Sequence, residues 1–182
     1  MAALPTCHMA YFLRSLACGF RGRAVVAARS PIEGKEAGSV SSQARILVVD
    51  DEQNLCRILI ARLSKDGYQA DAVHDGAQAL RRLAEVTHDL VLLDLRMPVR
   101  NGMEILPEIR HFFPQTAVIV MTAYDSADTV RAALSAGAHA YLTKPFDLDR
   151  VAAAVAEVLA RQAEVLSRQT AILLQSQCLS HP

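Results

Sequence analysis

The chain has 182 residues, room for one domain of ordinary size with appendages but crowded for two, since single domains peak at roughly 100 to 150 residues. Apolar residues make up 52% and aromatic residues 5% with no Trp, so aliphatic side chains can fill a core while little is left for an aromatic binding platform. Basic and acidic residues balance at 19 each, but five basic and two acidic ones precede Ala44, leaving a mildly acidic remainder that argues against direct DNA binding.

At the N-terminus the apolar stretch Tyr11-Phe12-Leu13 is cut by Arg14, and no run approaches the roughly 18 residues of a membrane span. Neither secretion nor membrane association is expected. Residues 1–32 lack acidic residues and are rich in Arg and Ala, a pattern that organelle transit peptides share. Ser30-Pro31 and Gly38 to Ser42 read as linker, so residues 1–43 are expected to form a disordered extension. Cys7, Cys18, Cys56 and Cys178 are scattered, with no CxxC pair and no paired Cys and His ligands at zinc-site spacing. That spacing indicates neither a zinc site nor a disulfide framework, and it suits a reducing cytoplasm.

From Arg45 onward, short runs of Val, Ile and Leu alternate with longer stretches of helical period, the pattern of βα units around a parallel sheet. Strands are predicted at Ile46–Val49, Gln69–Val73, Leu90–Leu93, Val118–Met121 and Ala140–Thr143. The first, third and fourth lack polar alternation, as expected where helices cover both faces. Helices are predicted at about Asn54–Asp66, Gly76–Glu85, Gly102–Phe112, Ser126–Ala136 and from Leu148 to at least Arg161. Gly67 and Gly137 stand where a left-handed residue can end a helix. The expected fold is a (βα)5 flavodoxin-like doubly wound sheet with a C-terminal helical extension.

Ligands of such sheets bind beyond the carboxyl ends of the strands, where the strand order reverses. Asp50 and Asp51 directly follow the first strand and Asp94 the third, so three carboxylates should meet at one edge. They repel one another unless a cation neutralises them. A hard divalent ion fits, because magnesium prefers oxygen ligands and takes only one or two carboxylates from a protein. Thr122 follows the fourth strand and Lys144 the fifth, adding a hydroxyl donor and a counter-charge for a phosphorylated Asp94.

The ordered set Ile46 to Glu52, Asp89 to Pro98 with Asn101-Gly102, Met121-Thr122-Ala123, and Gly137-Ala138 through Tyr141 to Phe146 resembles the receiver domains of two-component response regulators, over about residues 44–163. The resemblance implies that Asp94 accepts a phosphoryl group from a phosphohistidine. It implies that Asp51 and Asp94 bind magnesium directly, Asp50 largely through water, and Arg96 through its backbone carbonyl. Lys144 would contact the phosphoryl oxygens, Thr122 would move toward them, and Tyr141 would swing inward. Arg96 and Tyr124, two positions after Asp94 and Thr122, would overhang the phosphoryl group and slow its hydrolysis. The Met-Thr-Ala-Tyr and Lys-Pro-Phe-Asp runs are similar to those of nitrogen-regulator-type and single-domain sporulation-phosphorelay receivers.

Such a module would be a signalling switch with self-catalysed phosphorylation and dephosphorylation, not a metabolic enzyme. Its expected partners are a sensor histidine kinase or histidine phosphotransfer protein and a downstream protein, with a homodimer possible. The 35 residues after Asp147 are too few for an output domain, and residues 164–182 are expected to form a helical tail. Along the last helix Gln162 and Gln169 fall between apolar positions and would weaken a coiled-coil seam. The alternatives are the front piece of a longer transcriptional regulator, an aspartyl-phosphate phosphatase and a flavin-binding domain. The phosphatase pattern needs a second acid where Arg96 stands, and clustered carboxylates would repel a flavin phosphate.

Overall fold

Strands that run as unbroken aliphatic segments need cover on both faces, and the chain supplies it by returning through a helix after each strand. The computed structural model describes residues 43–98, 100–123 and 126–178, with side chains through residue 169. The expectation for an N-terminal extension, together with Cys7, Cys18 and Tyr124, falls outside the described residues. In chain order the elements are β1 Arg45–Val49, α1 Gln53–Lys65, β2 Gln69–Val73, α2 Gly76–Glu85 and β3 Leu90–Asp94. They continue as α3 Gly102–Phe112, β4 Ala117–Thr122, α4 Ala127–Ser135, β5 Ala140–Thr143 and α5 Leu148–Cys178.

The five strands form one parallel sheet in the order β2-β1-β3-β4-β5. Alternation along each strand splits the core in two. Leu47, Val49, Val91, Leu93, Val118 and Val120 face Ala79 and Leu83 of α2, Ile105 and Ile109 of α3 and Ala133 of α4. Ile46, Val48, Leu90, Leu92, Ile119 and Met121 face Leu59 and Leu63 of α1 and Val151, Val155 and Val158 of α5. The spacings of four and seven along α1 and α5 place those side chains on one helical stripe. Truncating a fully buried member such as Leu59 to Ala costs about 2–5 kcal/mol.

Helix ends follow local chemistry. Asp75 caps α2 by accepting the Gln78 N–H at 2.7 Å, Asn101 caps α3 through Met103 at 2.8 Å, and Ser126 caps α4 through Thr129 at 3.2 Å. Gly67 and Gly137 have φ of +90° and +102°, the left-handed conformation expected after α1 and α4. No Gly or Pro interrupts the chain from Leu148 to Cys178, and α5 runs 31 residues, about 46 Å at 1.5 Å per residue. Gln162 donates its amide to the Gln115 carbonyl, tying α5 to the α3–β4 turn. Beyond it, Val165 and Leu166 are 53% and 40% exposed.

β4 and β5 are fastened together below their first backbone pair by a histidine. His139 donates its own N–H to the Val118 carbonyl at 2.8 Å, and its Nδ1 accepts the Val118 N–H at 3.1 Å. Burial, with Arg110 nearby, holds this imidazole below its ordinary value of 6.5. The unfolded chain therefore takes up a proton near pH 6.5 that the folded chain refuses, so stability contributed by neutral His139 declines as pH falls below that value. Thermal melting between about pH 7 and about pH 5.5 should show a decline that is shallower in His139→Gln.

Candidate functional site

The switch in strand order falls between β1 and β3, whose carboxyl ends carry Asp50 and Asp94. Asp50 is fully buried, Asp94 is 5% exposed, and Asp51 faces solvent. The three residues can each offer a carboxylate oxygen within 4.8 Å of the others. The edge expected from the sequence is thus assembled, with Thr122 buried at the end of β4 and Lys144 just beyond β5.

The two buried carboxylates are held by what surrounds them. Asp50 Oδ1 accepts the Glu52 N–H at 2.9 Å, and Asp94 Oδ1 accepts the Arg96 N–H at 3.1 Å. Lys144 Nζ reaches both remaining oxygens, Asp50 Oδ2 at 2.7 Å and Asp94 Oδ2 at 2.8 Å. It can do so because its own N–H continues the β4–β5 ladder, donating to Thr122 O at 2.7 Å. The Lys144–Pro145 peptide is cis. Burial raises the Asp94 carboxyl above the usual carboxylate range, against the opposing pull of Lys144 and the Arg96 N–H. For Lys144, burial works against the charge, but its bonds to Asp50 and Asp94 prevail and hold the ammonium above its ordinary value.

Three carboxylates against one ammonium leave two negative charges in the crevice. All three donors are hard oxygens, and a divalent cation would balance the charge, so the residues present fit magnesium. The same electrostatics make Lys144 the keystone of the cation-free protein. Lys144→Met leaves two buried carboxylates unpaired and is expected to cost about 3 kcal/mol in magnesium-free denaturant unfolding. Millimolar magnesium should restore most of that loss by binding the folded state alone.

The other expected residues sit as follows. Arg96 is exposed in the segment after β3, and a cavity of about 200 Å3 lined by Leu95, Arg96, Asn101, Met103, Thr122 and Thr129 opens where that segment meets β4. Tyr141 is on β5, 40% exposed. Tyr124, paired with Arg96 in the expectation of a shielded phosphoryl group, lies outside the described residues.

Two residues at the site were not singled out from the sequence. Cys56 on α1 and His74 after β2 are 18 positions apart, yet Cys56 Sγ lies 3.8 Å from His74 Nδ1. No spacing along the chain pairs Cys56 with a histidine, yet the fold brings the two side chains together. Burial pushes the Cys56 thiol up to about 11, so it remains protonated near neutrality. Gly102, quoted from the sequence only beside Asn101, also has a role at the site: a Cβ there would stand 2.2 Å from the Asp94 carbonyl oxygen.

Comparison with known proteins agrees with this geometry. The chain is similar to the transcriptional regulatory protein ZraR of Klebsiella oxytoca, with 46% identity over 118 residues, or 65% of this chain and 27% of that protein. The chain therefore spans about a quarter of that relative's length. Among solved structures, a CheY-like response regulator receiver domain protein from Methanospirillum hungatei superposes with a TM-score of 0.65 at 27% identity, covering 67% of this chain and 98% of that one. The response regulator TrrA from Thermotoga maritima, solved in complex with Mg2+ and BeF, matches with a TM-score of 0.59 at 34% identity over 64% of this chain and 99% of that one. A family model described as the response regulator receiver domain matches residues 46–156, more than half of the chain, and the protein belongs to that family of two-component signalling modules.

Proposed function

We propose that Asp94 is the phosphoacceptor of this receiver and that Asp50, Asp51, Asp94 and the Arg96 carbonyl hold magnesium. The observation that carries the reading is the Asp94 carboxylate at the end of β3, 5% exposed, facing an ammonium and two further carboxylates. The Mg2+ and BeF bound by TrrA support it, since beryllofluoride is shaped like a phosphoryl group. When bound, the cation supplies positive charge that offsets the repulsion between the carboxylates and an incoming phosphoryl group.

An Asp94 oxygen attacks phosphorus, the P–N bond of a phosphohistidine breaks, and the imidazole leaves with the bond's electrons. The phosphohistidine belongs to a sensor kinase or a histidine phosphotransfer protein. Lys144, already 2.8 Å from Asp94 Oδ2, transfers its contact to the phosphoryl oxygens. Thr122 adds a hydroxyl donor, and the exposed Tyr141 turns inward, presenting a changed surface to a downstream partner. Arg96 at the rim limits the approach of water to the acyl phosphate. Hydrolysis by the same residues resets the switch. Residues 44–163 form this receiver, residues 164–182 a helical tail, and the protein works in the cytoplasm. No helix among the described residues is long and apolar enough to cross a membrane.

A second reading, the front piece of a longer transcriptional regulator, is favoured by the 27% share of ZraR that the chain spans. Peptides from beyond Pro182 in a digest of the protein isolated from its host would select it. The phosphoacceptor reading itself is tested by incubation with acetyl phosphate. A gain of one phosphoryl mass with magnesium, and none with EDTA, is expected; no gain under either condition would overturn it.

A further inference from the structure

In the acidic pocket one carboxylate is placed by the main chain alone. Asp51 is exposed, and its carboxylate makes no hydrogen bond or ion pair among the described residues. Its place depends on the planar peptide that joins the Asp50 carbonyl to the Asp51 N–H, because the direction of that carbonyl fixes where Asp51 Cα lies. The sheet ladder stops at this point. The Asp50 N–H donates to Val73 O at 3.2 Å, beyond the last β1–β2 pair of Val49 with Val73.

Two side chains from different elements then take over. His74 Nδ1 lies 3.1 Å from the Asp50 carbonyl oxygen and Cys56 Sγ 3.3 Å from it. A carbonyl oxygen only accepts, so Nδ1 carries its proton toward Asp50 and the thiol donates. The two donors also touch each other, Sγ to Nδ1 at 3.8 Å, which braces α1 against the end of β2 around this one oxygen.

We propose that Cys56 and His74 are positioning residues for the cation pocket, clamping the Asp50–Asp51 peptide so that Asp51 stands beside Asp50 and Asp94. The proposal rests on the reading of those three carboxylates as the magnesium site. Removing a donor frees the peptide plane to rotate, and binding must then reorder it. Groups that orient metal ligands from behind are typically worth 10- to 100-fold in affinity, and a shared carbonyl puts each donor here at the low end.

The test is magnesium affinity, measured by isothermal titration calorimetry on the full chain, with melting in EDTA recorded beside it. Cys56→Ala and His74→Ala are each expected to weaken magnesium binding about tenfold. Cys56→Ser and His74→Asn, which keep a donor near the same place, should return affinity to within about threefold of wild type. Asp51→Ala should abolish binding. If Asp51→Ala abolishes binding while both alanine variants bind like wild type, the clamp is overturned and the magnesium site stands. If the serine and asparagine variants lose as much as the alanines, the two residues act through packing and the clamp is again overturned. If Asp51→Ala binds like wild type, the magnesium reading itself fails.

Discussion

Asp94→Asn is expected to leave the protein folded and unable to take up a phosphoryl group from acetyl phosphate. An amide oxygen is no substitute for a carboxylate nucleophile, so the loss should be at least about a thousandfold, equivalent to roughly 4 kcal/mol in the barrier. Stability should move the other way. Burial raises the Asp94 carboxyl, which means that its ionised form is disfavoured in the fold, and Asp50 sits across the same ammonium. The neutral isostere removes that repulsion while Asp50 retains Lys144. The melting temperature of Asp94→Asn in EDTA should equal or exceed that of the wild type, and a marked fall would show that the ionised carboxylate holds the fold together.

Gly102→Val should be among the most destabilising single changes in the domain. A Cβ at Gly102 would stand 2.2 Å from the Asp94 carbonyl oxygen and 2.8 Å from Leu95 Cα. Both are backbone atoms of the strand end that carries the site, and neither can turn aside as a side chain would. The Gly102 N–H also donates to Leu95 O at 3.1 Å, so the close approach of α3 to β3 is itself hydrogen-bonded. The expected cost is at the upper end for overpacking, about 3 kcal/mol or more, read as a lowered denaturation midpoint with unchanged slope. Gly67 provides the contrast. Its Cβ would meet nothing within 4 Å, and only its φ of +90° resists substitution, so Gly67→Ala should cost about 1–2 kcal/mol.

Much of this arrangement was readable from residue order because parallel βα folds place consecutive strand ends at one edge. The runs at Ile46, Leu90 and Val118 lack polar alternation, and they became the three inner strands. Gln69–Val73 alternates and Ala140–Thr143 is short, and both became edges. Asp94 and Thr122 end their strands, and Asp50 and Lys144 directly follow theirs, so their convergence follows from topology and needs no knowledge of side-chain packing. What escaped the sequence is contact between elements. Nothing along the chain links Cys56 to His74, which meet only because α1 packs beside the end of β2. The sequence marks Gly67 as a left-handed helix end, but nothing in it shows that at Gly102 backbone approaches backbone. The last helix was expected to reach at least Arg161; the absence of Gly and Pro lets it run to Cys178. Gln162, expected to weaken a helical seam, instead donates to the Gln115 carbonyl of its own domain.

The central claim is that one carboxylate of the three carries the phosphoryl group. An acyl phosphate is reduced by borohydride, whereas a free carboxylate is not, so reduction of the phosphorylated protein converts the acceptor aspartate to homoserine. Peptide mass spectrometry after treatment with acetyl phosphate, magnesium and borohydride locates that residue. Homoserine at position 94, with intact aspartate at 50 and 51, is the expected result; homoserine at either of those positions, or phosphorylation that yields no homoserine, would contradict the account.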